Sequence, residues 1–170
     1  MALEIERRFL VRGEQWRAHI SSQARLQQGY LSASADGVTT RVRSDGSGGA
    51  WLTLKAAAGR AGLVRHEFEY AIPEADAQAL LALAPTALCK CRYGLDLPGG
   101  EWVLDVFEQA NAPLVIAEVE LADVDDGIAL PSWCVREITG EGRFSNAALA
   151  AAPLSSWSEQ ARAPVLGLLT

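Results

Sequence analysis

Leu3-Glu4-Ile5-Glu6-Arg7-Arg8-Phe9 puts Glu4, Glu6 and Arg8 on one face and Leu3, Ile5 and Phe9 on the other if the segment is extended, because strand side chains alternate between two faces. The same division recurs along the chain. Arg41 and Arg43 share a face opposite Val42, and Lys55 lies with Thr53 opposite Leu52 and Leu54. Arg65, Glu67 and Glu69 lie opposite Phe68 and Tyr70, and Lys90 pairs with Arg92. Asp105 lies with Val103 opposite Leu104 and Val106, and Glu118 with Glu120 opposite Ala117, Val119 and Leu121. Turn clusters at Ser34–Gly37, Ser44–Gly49, Ala58–Gly62 and Leu97–Gly100 separate these segments, the pattern of antiparallel strands and hairpins, with Asp45-Gly46 the sharpest hairpin signal.

Helical signals are fewer. One helix is expected from Pro73 to about Leu83, where Pro73 suits a first turn, Glu74 and Asp76 favour the N-terminus, and Ala77, Leu80, Leu81 and Ala84 form an apolar stripe. A second is expected near Asn146 to Ala152, and a helical turn near Glu14 to His19. Ser155 to Thr170 reads as a weakly ordered tail broken by Pro164. The expected organisation is one domain over residues 1–152 followed by a tail over 153–170.

Composition excludes several function classes. The chain has 170 residues, 49% of them hydrophobic, enough to bury a core without disulfides or a structural metal. Its net charge is −6, which argues against holding nucleic acid or an anionic membrane by a positive field. No apolar run approaches a membrane span, and the charged start is unlike a secretory signal. Three cysteines, Cys89, Cys91 and Cys134, have no zinc-site spacing and suit a reducing cytoplasm. An exposed strand edge or helix would be the place for a homodimer. Of the fifteen basic residues only Lys55 and Lys90 are not Arg.

Ordinary solvent faces of a half-buried sheet would mix Thr, Ser, Gln and Lys, whereas these stripes are almost wholly ionised. Same-sign pairs such as Glu4 with Glu6, Glu118 with Glu120 and Arg41 with Arg43 repel unless an opposite charge lies between them. Paired carboxylates call for a hard cation, and paired guanidinium groups for phosphate. The chemistry is that of a metal-dependent phosphate site.

Glu4-Ile-Glu6-Arg-Arg8-Phe9 resembles the N-terminal ExExK motif of the CYTH superfamily, also called the triphosphate tunnel metalloenzymes. The resemblance continues through Gln28-Gly-Tyr30-Leu, Arg41-Val-Arg43, Leu52-Thr-Leu-Lys55, Arg65-His-Glu67-Phe-Glu69, Lys90-Cys-Arg92-Tyr, Leu104-Asp105-Val-Phe, Ala117-Glu118-Val-Glu120 and Gly142-Arg143-Phe-Ser-Asn146, covering residues 3 to about 150. It implies a mainly β (α+β) fold, an eight-stranded antiparallel β-barrel forming an open tunnel with a charged lumen and a few helices outside. It also implies magnesium or manganese at Glu4, Glu6, Glu118 and Glu120, with Glu67, Glu69 and Asp105 as further acids. The implied triphosphate-binding bases are Arg41, Arg43, Lys55, Lys90, Arg92 and Arg143, and Tyr30 resembles a tyrosine that assists in some thiamine triphosphatases.

Arg8 departs from the motif's final lysine. Arg does not give up its proton under ordinary conditions, so Arg8 reads as a phosphate clamp, with the metal activating water and Lys90 or Lys55 in support. Val135 stands where the related block has Gly. Trp51 is the one aromatic candidate for stacking a base, so the implied activity is metal-dependent hydrolysis of inorganic tripolyphosphate to pyrophosphate and phosphate. Thiamine triphosphatase and class IV adenylate cyclase are the alternatives within the family, and a non-catalytic polyphosphate or nucleotide sensor the alternative outside catalysis.

Overall fold

The computed structural model describes residues 3–33, 37–58 and 64–170; the turns expected at Ser34–Gly37 and Ala58–Gly62 fall largely outside the described residues, as does the side chain of Leu3. Among the described residues nine strands run in chain order: β1 (Leu3–Val11), β2 (Ile20–Ser32), β3 (Thr39–Ser44), β4 (Ala50–Ala57), β5 (Val64–Ala71), β6 (Thr86–Leu95), β7 (Glu101–Phe107), β8 (Val115–Glu120) and β9 (Cys134–Glu137). They form one antiparallel sheet ordered β5-β4-β3-β2-β6-β7-β8-β1-β9, and β1 also pairs with β5. That pairing closes the first eight into a barrel through Leu3↔His66, Glu4↔Arg65 and Ile5↔Val64. Farther along β1, Phe9–Val11 pair instead with β9.

The β3–β4 hairpin forms where Asp45-Gly46 placed it. Asp45 Oδ1 accepts hydrogen bonds from the Ser47 and Gly49 backbone, and Gly46 takes φ +69°, a left-handed conformation that glycine adopts without steric cost. Helix α1 (Glu74–Leu83) lies against the outer face of β2 to β4 as its stripe required, with Ala77 buried beside Val42 and Ala50. Its close approach depends on Gly29, where a Cβ would stand 2.7 Å from Ala84 Cβ.

The largest apolar layer lies outside the barrel wall. Phe9 and Val11 of β1, Tyr93 and Leu95 of β6, Trp102 and Leu104 of β7 and Ala117 and Val119 of β8 pack with Trp16 and Trp133. Trp16 belongs to a short 3-10 helix, Gln15–His19, the expected helical turn. Burying such side chains is worth about 2 kcal/mol each, so this face of the strands must be apolar and the charged face turns inward.

The inward face changes character along four of the strands. Beyond Arg8 on β1 comes Leu10, beyond Glu118 on β8 comes Ile116, beyond Lys90 on β6 comes Leu88, and beyond Asp105 on β7 comes Phe107. These four apolar residues are buried together with Phe144, Leu149, Leu154 and Val165. Where the resemblance implies an open tunnel, one end of this lumen is filled. Helix α2 (Asn146–Ala151) contributes Leu149 to the filling, so it closes the barrel end, whereas helices were expected only outside.

The C-terminal segment corrects the expectation of a weakly ordered tail. It forms helix α3 (Glu159–Leu169), which runs through Pro164. The Ser158 side chain caps its start by accepting from the Ala161 backbone N–H. Pro164 sacrifices one backbone hydrogen bond on the solvent side, and burial of Val165 in the barrel plug offsets that cost. Cys89, Cys91 and Cys134 are free thiols. No helix among the described residues is long and apolar enough to cross a membrane.

Candidate functional site

The open part of the lumen is a cavity of about 800 Å3. Glu4, Glu6 and Arg8 of β1, Glu118 and Glu120 of β8, Arg41 and Arg43 of β3, Lys55 of β4, Glu67 and Glu69 of β5, Arg92 of β6 and Tyr30 of β2 all line it. Strand register accounts for the convergence: Glu6 lies opposite Glu120, and Arg8 opposite Glu118, across the β1–β8 ladder. Gly142, Ser145, Asn146 and Ala147 form part of the lining beside the plug.

Two chains of alternating charge run around the lumen. In the first, Glu69 bridges Arg43 at 3.2 Å and Arg41 at 3.3 Å, and Glu67 approaches Lys55 at 3.3 Å. Lys55 Nζ donates to Glu4 at 2.8 Å, and Arg65 bonds Glu6. Glu67 and Glu69, implied as further metal acids, thus stand among the bases and are paired with them.

The second chain lies deeper. Arg8 Nε donates to Glu118 at 3.2 Å and its Nη1 to the Phe144 carbonyl at 3.0 Å. Arg8 Nη2 is buried without a partner among the described residues, and the Arg8 side chain as a whole lines the cavity. Arg92 joins Glu118, at 2.9 Å, to Asp105, which it meets with two bonds of 2.8 and 2.7 Å. Lys90 donates to Asp105 at 2.6 Å and to Asn146 Oδ1 at 3.2 Å.

Lys90 and Asp105 are both fully buried and are absent from the cavity lining, although their strands and faces are those the sequence indicated. They support the wall behind Arg92 and tie it to α2. Burial, and next the charge of Arg92, push the Lys90 ammonium down to about 7, against the pull of Asp105. Burial alone would raise the Asp105 carboxyl, but Arg92 and then Lys90 outweigh it and hold it below its ordinary range. Arg143 is also away from the cavity: its guanidinium lies over the Phe144 and Trp157 rings, at 4.8 and 5.2 Å. Trp51 is covered by Arg43 at 5.0 Å and does not line the lumen. Tyr30 does, with its hydroxyl accepting from Gln28 at 3.0 Å, and burial pushes its phenol up.

Carboxylate oxygens are the donor chemistry that magnesium and manganese prefer, and the acidic wall carries charge in want of a cation. Burial raises the Glu6 carboxyl, with Glu118 and Glu4 adding to it and Arg65 and Arg8 opposing. Burial likewise raises Glu4 and Glu120, where Glu4 and Glu101 add to it. The donor set therefore fits a divalent metal, while among the described residues no three of these side chains are already gathered around one point. Arg65 stands among them. Arg65 is the charged lining residue that the sequence reading left out of the site, and Glu101, exposed at the start of β7, acts on the site only through its charge on Glu120. Glu101 shares the parity of Val103 and Asp105 and faces Glu120 across β7–β8, a signal present in the alternation.

The family described as CYTH domain matches residues 2–148. An inorganic triphosphatase of Acetivibrio thermocellus is 34% identical over 162 residues, covering 94% of this chain and all of the relative. An inorganic triphosphatase of Nitrosomonas europaea is 36% identical over 155 residues, covering 86% of this chain and 96% of the relative. The crystal structure of the inorganic triphosphatase NE1496 superposes with a TM-score of 0.62 at 31% identity, covering 88% of this chain and 95% of that one.

Proposed function

The chain belongs to the CYTH domain family, and on that premise we propose that it is a metal-dependent triphosphatase acting on inorganic tripolyphosphate. The observation that carries this reading is the lumen itself, where an acidic wall on β1 and β8 and guanidinium groups on β3 and β6 face one cavity. Relatives of similar length that carry the name inorganic triphosphatase support the choice of substrate.

Glu4, Glu6, Glu118 and Glu120 would hold magnesium or manganese, which when bound neutralises phosphate charge and sharpens water as a nucleophile. Arg41, Arg43 and Arg92 bind the phosphate oxygens and spread their charge, and Lys55 can leave Glu4 for the same task. Arg8, fixed by Glu118 and the Phe144 carbonyl, adds its positive charge to the cavity wall for the anion. Water forms a bond to the terminal phosphorus as the bridging P–O bond breaks, pyrophosphate leaves, and a water proton passes to solvent. Positioning and charge stabilisation supply most of the catalysis in such a transfer.

Tripolyphosphate, thiamine triphosphate and ATP assayed in parallel with Mg2+ or Mn2+ test the reading. Tripolyphosphate should turn over fastest, yielding pyrophosphate and orthophosphate in equal amounts, and EDTA should abolish activity. Cyclic AMP as the main product from ATP, or tight tripolyphosphate binding without phosphate release under any metal, would overturn it.

Arg8→Lys tests the clamp. The lysine ammonium cannot reproduce the planar fork that satisfies Glu118, Phe144 and an anion together, so kcat/KM should fall by about 10- to 100-fold. The pH–rate profile should keep its shape. A large new basic limb would show that an amine at this position exchanges a proton and that Arg8 is not simply a clamp.

A further inference from the structure

Arg65 occupies the acidic wall from the neighbouring strand. Glu4 and Arg65 are directly paired across the short β1–β5 seam, and the Arg65 guanidinium bonds Glu6 and lies 3.7 Å from Glu4. Its Nε is buried with no partner among the described residues, and within them the ion pairs to Glu6 and Glu4 hold this group in place. Lys55 takes the other side of Glu4. Of the carboxylates that the proposed function gives to the metal, Glu4 and Glu6 are thus already paired with protein cations, as Glu118 is with Arg8 and Arg92, whereas Glu120 faces mainly other acids.

A divalent cation and a guanidinium cannot both sit against Glu6 without strong repulsion at this range. Arg65 also lines the cavity, where the groups opposite it on β3 and β6 are suited to phosphate. We propose that Arg65 is the resident counter-ion of the acidic wall, which the metal displaces and which then turns to the polyphosphate chain. Metal and polyanion binding thereby assist one another, since each site's occupancy favours the Arg65 position that the other needs. The inference rests on the metal-dependent reading of the lumen but concerns a residue with its own test.

Titration calorimetry with Mn2+ alone, in the absence of any phosphate, compares wild type, Arg65→Gln and Arg65→Lys. Arg65→Gln should bind Mn2+ about tenfold tighter, because a competing cation is gone, and Arg65→Lys should stay near wild type. Arg65→Gln should also melt lower than wild type without metal and recover on adding Mn2+, while its KM for tripolyphosphate at saturating Mn2+ rises. Circular dichroism establishes that each variant is folded. Unchanged or weaker Mn2+ binding by Arg65→Gln, equal tightening by Arg65→Lys, or no Mn2+ binding by any of the three would overturn the proposal. A wild type that binds Mn2+ without hydrolysing tripolyphosphate would remove the hydrolase reading, whereas the Mn2+ comparison still decides the role of Arg65.

Discussion

Glu6→Gln should lower kcat for tripolyphosphate by about a thousandfold, the scale expected when an electrostatic element of a phosphoryl-transfer site is lost. Its effect on folding should be small. Glu6 is among the most enclosed acids of the lumen, 6% exposed, and burial, then Glu118 and Glu4, raise its carboxyl above 4.5. A carboxyl that is easier to protonate when folded contributes stability fully present below its unfolded value. That stability is lost as pH rises through the folded value. At neutral pH the charge on Glu6 is therefore a burden to the metal-free fold. The amide removes it, while Arg65 retains Glu4 at 3.7 Å. The melting temperature at pH 7 should move by less than about 3 °C, and its dependence on pH in the acidic range should flatten. Steady-state kinetics with a Mn2+ titration and calorimetric melting at pH 5 and 7 check both halves. Activity within tenfold of wild type would remove Glu6 from the metal site.

Arg92→Met should have the largest effect on stability. Arg92 gives two hydrogen bonds to Asp105 and one to Glu118, and these carboxylates are 0% and 8% exposed. Taking away one partner of a buried ion pair costs about 3–5 kcal/mol because the other charge stays behind. For a chain of this size that is roughly 6–20 °C in Tm. Although burial raises both carboxyls, Arg92 leads in pulling Asp105 and Glu118 below their ordinary range. Such depressed acids contribute stability present above the unfolded values of 3.8 and 4.5 and lost as pH falls through the folded ones. The variant should forfeit most of that gain at neutral pH and show a shallower loss in acid. The Lys90 ammonium, freed of its cationic neighbour, should titrate above its present value of about 7. A Tm within 2 °C of wild type, on the scale of about 2–4 °C per kcal/mol, would show that the network carries little of the stability. Melting followed from pH 4 to 8 measures all of this.

Alternation made the inner face of the barrel legible in the sequence because it is a property of the extended backbone itself. Glu4, Glu6, Arg41, Arg43, Glu118 and Glu120 all reach the cavity for that reason. Depth along a strand is a different quantity, set by what fills the barrel end, and alternation is silent about it. Lys90 shares a face with Arg92 but lies next to the plug residue Leu88, so it is sealed behind the wall. Arg143 comes from a 3-10 turn, Gly142–Phe144, where no alternation guides the side chain, and it stacks on Trp157. Arg65 was read on the correct face, but its closeness to Glu6 depends on the β1–β5 seam, a pairing about sixty residues apart in the chain that local pattern does not reveal. Pro164 misled the reading of the C-terminus because local propensity is overruled when Val165 finds a buried place.

The apolar layer outside the barrel and the charges within it make the wall a partition only one strand thick. Beside the cavity, substitution effects on β1 and β8 should therefore sort by odd and even residue number, with the plug residues and Arg92 as the inward positions that also show in melting. On β1, changes at 4, 6 and 8 should appear in kinetics and changes at 5 and 9 in melting curves; on β8 the same holds for 118 and 120 against 117 and 119. On β7, which starts on the other foot, the order reverses, with Trp102 and Leu104 on the apolar side and Asp105 inward. Each such strand carries two interleaved records, one of how the chain folds and one of what it does. Selection can therefore rewrite much of the second while leaving the first in place, except at groups such as Arg92 that serve both.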